Sequence, residues 1–311
     1  MRRLGWLAAL GLARSQEGGP RLEQIREHLA ARRAEAGDDD FGDGFVGRRG
    51  TAFALPANAA LERDVPYGRE LAERMDVYRP ADARDAPVVL YVHGGGWRRG
   101  DKAMPQMVAN KASHWLAKGL VFVSTNYRML PDADVIEQAR GVGRALAFVQ
   151  ANAAAWGGDP ARVILVGHSA GAHLAALLTA DVGLAPSARP WLATIVLDTA
   201  ALDMVAVMSR PHFAFYDPVF GRDPAFWRAA SPMHRLTDKP IVPVMLVCSS
   251  RRGDSLSAAE DYAAKVSALG GRAVVLPVDL THMQLNDQLG LRGRYTEAVD
   301  AFIESVAFPE A

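Results

Sequence analysis

Six short apolar runs rich in β-branched residues recur along the chain, at 88–92, 121–125, 163–166, 194–197, 244–248 and 273–276. Runs that are apolar throughout, rather than alternating with polar residues, predict strands buried on both faces, as in parallel sheets. Helical periodicity separates most of them. Ile136, Ala139, Val142, Leu146 and Val149 recur at three- and four-residue steps and give one apolar face. A second helix is predicted over 258–269, with Ser257 and Glu260 as a capping box and Gly270 as its stop. Alternation of strand and helix over more than half the chain predicts an α/β fold: one mostly parallel, doubly wound sheet with right-handed crossovers and flanking helices. Residues 203–240 break the rhythm with PHFAFYDPVF and AFW, and read as an insertion above the sheet.

The N-terminal part patterns differently. Arg2 and Arg3, an apolar run over 4–12 and the small-residue pattern before Arg14 read as a short secretory signal cleaved after Ala13. That reading places the protein in the periplasm or outside the cell; an uncleaved N-terminus would leave it cytoplasmic. Residues 14–62 form a charged extension, with a short helix over 21–36 and a flexible acidic loop over 37–44 whose spacing does not match a calcium loop. The main domain is expected over 63–306.

Composition narrows the function. Of 311 residues, 50% are hydrophobic and 23% charged, a balance that excludes wholesale disorder. Lys plus Arg and Asp plus Glu are both 35, so a formally neutral chain has no bulk electrostatic pull toward nucleic acid. No apolar run reaches the ~18 residues of a membrane-spanning helix. The one cysteine, Cys248, excludes an intramolecular disulfide and a Cys-rich metal site, and its apolar setting marks a buried strand residue.

The sharpest chemical signal is VILVGHSAGAHLAALL, where an apolar strand runs into Gly167-His168-Ser169-Ala170-Gly171 and then directly into a helix. This is G-x-S-x-G in the strand–turn–helix context that lifts a serine hydroxyl above a sheet, and it nominates Ser169 as a nucleophile. The second signal is VVLYVHGGGW, also at a strand end. Consecutive glycines let backbone N–H groups approach a bound carbonyl and, with the amide of Ala170, stabilise the oxyanion of a tetrahedral intermediate. Trp97 at the end of that run and His168 beside the serine are candidates to line the substrate site.

HGGGW followed by GHSAG resembles the α/β-hydrolase superfamily, in particular its carboxylesterase branch, related to hormone-sensitive lipase and kynurenine formamidase. STNYRMLP and WGGDPARV add to the likeness, which extends over about residues 63–302; Met129-Leu130 departs from the commonest form of the first of these. The resemblance implies Gly95 and Gly96 as oxyanion donors with Gly94 close by. It also implies the chain order serine, acid, histidine, which points to His282 after the last strand as base and Asp254 after the run 244–248 as acid. Asp198, which ends the run 194–197, offers a variant triad, while Asp279 reads as structural. His212 and His234 fall in the insertion, and His93 shapes the glycine loop. Tyr216, Phe220, Phe226 and Trp227 of the insertion are candidate pocket residues.

These residues predict a serine hydrolase that cleaves small-molecule carboxylic esters through an acyl-enzyme. An N-formyl amide hydrolase would use the same residues. A non-catalytic ligand-binding protein on the same fold is a further reading, disfavoured by the retained His282. No dinucleotide loop, phosphate loop or H-E-x-x-H motif is present, so no cofactor or metal is implied.

Overall fold

The computed structural model describes residues 55–308, so the expected leader, charged helix and acidic loop lie outside the described residues. Eight strands form one sheet: β1 (Ala59–Pro66), β2 (Arg74–Pro80), β3 (Ala86–Val92), β4 (Val121–Thr125), β5 (Gly158–His168), β6 (Ala193–Leu197), β7 (Val244–Ser249) and β8 (Ala273–Val278). Their spatial order is β1-β2-β4-β3-β5-β6-β7-β8. The six apolar runs become β3 to β8, all paired in parallel. β1 and β2 join antiparallel and extend the sheet on the β4 side. Neither was expected. β1 begins at Ala59, inside the supposed extension, and its exposed edge carries Glu62, Arg63 and Asp64, which no buried-strand pattern picks out.

The longer helices are α1 (Pro105–Ala117), α2 (Val135–Asn152) and α3 (Ala170–Ala180); in the insertion lie α4 (Met204–Met208), α5 (Asp217–Phe220), α6 (Pro224–Ala229) and α7 (Pro232–Arg235). After β7 come α8 (Gly253–Ala268), α9 (His282–Gln288) and α10 (Arg294–Ala307). Both faces of the sheet are covered. On β3, Val88, Leu90 and Val92 pack into the cluster that holds α2 and much of α3, whereas Val89 and Tyr91 point into the cluster of α1 and α10. This period-two division within an all-apolar strand is the signature of a doubly wound sheet.

One helix start is corrected. α8 begins at Gly253, five residues before the expected start, so Ser257 lies within it and donates its hydroxyl back to the Asp254 carbonyl instead of capping. Its end is as expected: Gly270 adopts φ 79° and donates to Ser267 O, while Gly271 donates to Val266 O, a Schellman closure.

Candidate active site

Ser169 stands between β5 and α3 with φ 56° and ψ −117°, a conformation strained for any residue with a Cβ. The turn is tight enough that a side chain on Gly171 would strike the Val92 and His93 carbonyls of the neighbouring strand. The Ser169 N–H donates to Leu197 O at 2.9 Å, tying the elbow to the end of β6. Ala170 is the first residue of α3, where helix geometry supplies its N–H with no acceptor, and the helix end favours negative charge.

The glycine loop follows β3, the strand beside β5. Gly95 and Gly96 have φ 129° and 60°, and Trp97 keeps φ 61° as well. A side chain on Gly95 would collide with the Arg99 carbonyl. At Gly94, a Cβ would sit 2.9 Å from that of Ser169, so this loop and the serine are immediate neighbours. The STNYRMLP segment buttresses the loop: Tyr127 Oη donates to His93 O at 2.9 Å, and Leu130 N to Trp97 O at 3.0 Å. The His93 Nδ1 meets Gly94 O at 2.7 Å, and burial pulls this imidazole below its ordinary value.

His282 is the first residue of α9, whose start is fixed by a capping box between Thr281 and Gln284. Its Nδ1 lies 2.6 Å from Asp198 Oδ2. His168, the residue before the serine, donates Nε2–H to His282 O at 3.1 Å, and the two rings lie 4.6 Å apart. Thus Ser169 is bonded to the residue before Asp198, and His168 to His282.

Asp198, and not Asp254, is the carboxylate that meets His282. Asp198 is the first residue beyond β6, at φ 48°, with a fully buried side chain. Oδ1 accepts from Ser249 N at 2.9 Å and Ser255 Oγ at 2.5 Å; Oδ2 accepts from His282 and from Arg252 Nη1 at 2.9 Å. Burial alone would raise this acid. The bond and charge of His282, the Arg252 guanidinium and the Ser249 amide together hold it well below the usual carboxylate range. Asp254 instead lies in the first turn of α8, where its Oδ1 accepts from Ser255 N at 2.8 Å and its Oδ2 meets Arg252 at 3.3 Å. The early start of α8 turns it to this use. A sequence signal for Asp198 existed: it ends a parallel strand at the same edge as Ser169, where open α/β sheets assemble their sites.

The two candidate substrate-contacting residues are enclosed. Trp97 is 3% exposed, donates its indole N–H to His173 Nδ1 at 3.1 Å, and packs on Tyr216 and Phe220 at 5.9 and 5.0 Å between ring centres. His168 is buried, and its ring lies well below the usual imidazole value, first through burial and then through its neighbour His282. Tyr216 and Phe220 are buried in this same cluster, while Phe226 and Trp227 pack half-buried against the core. His212 and His234 pair with Asp217 and Asp203, each at 3.2 Å. Cys248 is buried in β7, its thiol pushed up to about 11 by burial. Among the described residues no group of three or more His, Cys, Asp or Glu is placed to hold a metal, and no helix is long and apolar enough to cross a membrane.

In sequence and in fold the chain is similar to known esterases. Residues 75–186 match the BD-FAE family model. Over 115 residues the chain is 36% identical to a probable isoprenylcysteine alpha-carbonyl methylesterase of Oryza sativa subsp. japonica, covering 37% of this chain and 26% of that protein. Over 136 residues it is 37% identical to the carboxylesterase NlhH of Mycobacterium tuberculosis, covering 42% of each. The alignments therefore span well under half of these curated relatives. Among solved structures, a truncated carbohydrate esterase from gut microbiota superimposes with a TM-score of 0.71 at 18% identity, over 83% of this chain and 99% of that one. Esterase B from Lactobacillus rhamnosis superimposes with a TM-score of 0.66 at 19% identity, over 92% and 95%. The matched segment is thus similar to curated esterases, and the fold is shared with solved esterases.

Proposed function

We propose that the protein is a serine hydrolase of carboxylic esters that works through an acyl-enzyme, with Ser169 as nucleophile, His282 as base and Asp198 as its orienting acid. The observation that carries this reading is the 2.6 Å contact of His282 Nδ1 with a buried carboxylate, in a residue whose backbone carbonyl accepts from His168, the residue preceding an elbow serine. With Nδ1–H donated to Asp198, Nε2 is left as the basic nitrogen. It takes the Ser169 proton as Oγ attacks the acyl carbon, and returns it to the departing alkoxide. The amides of Gly95, Gly96 and Ala170 receive the oxyanion. Water, deprotonated by the same nitrogen, then releases the acid.

The test compares the wild type with Ser169→Ala on p-nitrophenyl acetate, butyrate and octanoate and on N-formylkynurenine. Ester turnover that falls at least ~10³-fold in the variant is expected, since removing one triad member typically costs 10³ or more. Preferential turnover of the formamide would move the protein to amide hydrolysis with the same residues. Equal rates for wild type and variant on every substrate would reject the assignment.

A further inference from the structure

Arg252 meets Asp198 on Oδ2, the carboxylate oxygen that Ser249 does not occupy. Its Nη1 is 2.9 Å from Asp198 Oδ2 and 3.0 Å from His282 Nδ1, so two N–H donors converge on one carboxylate oxygen. Two donors cannot bond to each other; what they share is the acceptor between them. The other guanidinium nitrogen, Nη2, meets Asp254 at 3.3 Å. A permanent cation therefore sits beside the imidazole that must become cationic during the reaction, held there by one carboxylate on either side.

We infer that Arg252 is a positioning residue of the ester-hydrolysing site, which turns Asp198 Oδ2 toward His282 and, by sharing its charge, sets how acidic the medium can become before activity is lost. This inference rests on the hydrolase reading above. Arg252 touches no reacting atom and acts through Asp198. Before reaction the group Asp198, Arg252, Asp254 and neutral His282 carries one net negative charge. Proton uptake by His282 brings it to zero. Without the guanidinium the same step would run from two negative charges to one, and the imidazolium would form more readily.

Other groups face this cluster, and none duplicates Arg252. From β5 comes His168, neutral and buried, itself influenced by Lys111 of α1. Tyr295 of α10 and Cys248 of β7 face Asp198, both pushed toward their neutral forms by burial. Tyr216 of the insertion faces Arg252. On the loop before α9, Asp279 pairs with Arg251 at 2.7 Å on the exposed side. Among the described residues, Arg252 is the permanent cation within hydrogen-bond distance of Asp198.

The test is the pH profile of kcat/KM for p-nitrophenyl acetate, read at the isosbestic wavelength of the product, in wild type, Arg252→Gln, Arg252→Lys and Asp254→Asn. Loss of a cation at this range should move the acid limb of the glutamine variant upward by about 1–3 pH units. Its plateau kcat should fall roughly tenfold with little change in KM, as one bond orienting Asp198 is lost. The lysine variant keeps the charge and should restore the limb to within about half a unit. Asp254→Asn leaves the guanidinium with Asp198 as its one carboxylate partner and should move the limb the other way, to lower pH. A folded, active glutamine variant whose limb coincides with wild type overturns the inference. If that variant does not fold, an unmoved limb in Asp254→Asn overturns it instead. A wild type inert on all the esters removes the hydrolase reading itself, whereas an active wild type with unmoved limbs removes only the role of Arg252.

Discussion

Two cations, Arg252 partly buried and Lys111 fully so, flank the helix that carries His282, and their surroundings are opposite. Arg252 lies between two carboxylates, which raise it above the ordinary guanidinium value despite burial. Lys111, behind the helix on α1, is buried with no carboxylate in contact among the described residues. Its Nζ donates to Met107 O at 2.9 Å and Asn286 O at 2.5 Å, and stands 5.0 Å over the Tyr91 ring. Burial pulls this amine down to about 7. A desolvated charge is retained where an opposite charge offsets the loss of water, and is surrendered where only carbonyl dipoles and a ring face are available. The front of α9 is therefore electrostatically fixed, and the back titrates near neutrality.

The largest effect that would break this contrast belongs to Asp198. Asp198→Asn should lower kcat about 10³- to 10⁴-fold, because an amide cannot hold the imidazole in its working tautomer, while Asp254→Asn should lower it less than about tenfold. Equal losses in steady-state assays would return Asp254 to the reaction. Next comes Lys111→Met. The unfolded chain takes up the lysine proton below about pH 10.5, whereas the folded chain does so only near 7. Folding is thus penalised fully below pH 7 and progressively less as the pH rises toward 10. A shift of this size corresponds to roughly 4–5 kcal/mol. Replacement leaves the Asn286 carbonyl without its donor, which returns about 1–3 kcal/mol. Denaturant titrations should find the methionine variant more stable by about 2 kcal/mol at pH 6, with the wild type catching up by pH 10.

The smallest effect concerns acid. Asp198 is held below its unfolded value of 3.8, so the stability it contributes is present above about pH 4 and is lost as the pH falls below that. Acid unfolding followed by circular dichroism should be shallower below pH 4 in Asp198→Asn than in wild type. A slope as steep as the wild type's in that window would place the acid sensitivity elsewhere.

Much of this arrangement could be read from the chain alone, and the failures have physical causes. β3 to β8 announced themselves because a strand buried on both faces can carry few polar residues. β1 and β2 did not, since an antiparallel edge tolerates charge, and β2 buries Asp76 at 2.7 Å from Lys102. The elbow at Ser169 and the glycine loop were legible because tight turns demand glycine locally. The carboxylate that meets His282 was not legible because the sheet brings it: Asp254 and His282 have suitable spacing in sequence, but the first turn of α8 claims Asp254 for Arg252 and its own backbone, and Asp198 makes the contact. Trp97 and His168 read as substrate contacts because they adjoin the glycine loop and Ser169, yet both side chains are buried and bonded within the protein.

His173 shows how far this bonding extends. Its ring accepts from the Trp97 indole through Nδ1 and donates from Nε2 to Ala230 O at 2.7 Å, and burial keeps it neutral by lowering it to about 4. One imidazole on the helix after Ser169 thereby clamps the glycine loop to the end of the insertion. The segment between β6 and β7 is in this sense a mechanical brace, tied through a single ring to the loop that carries Gly95 and Gly96.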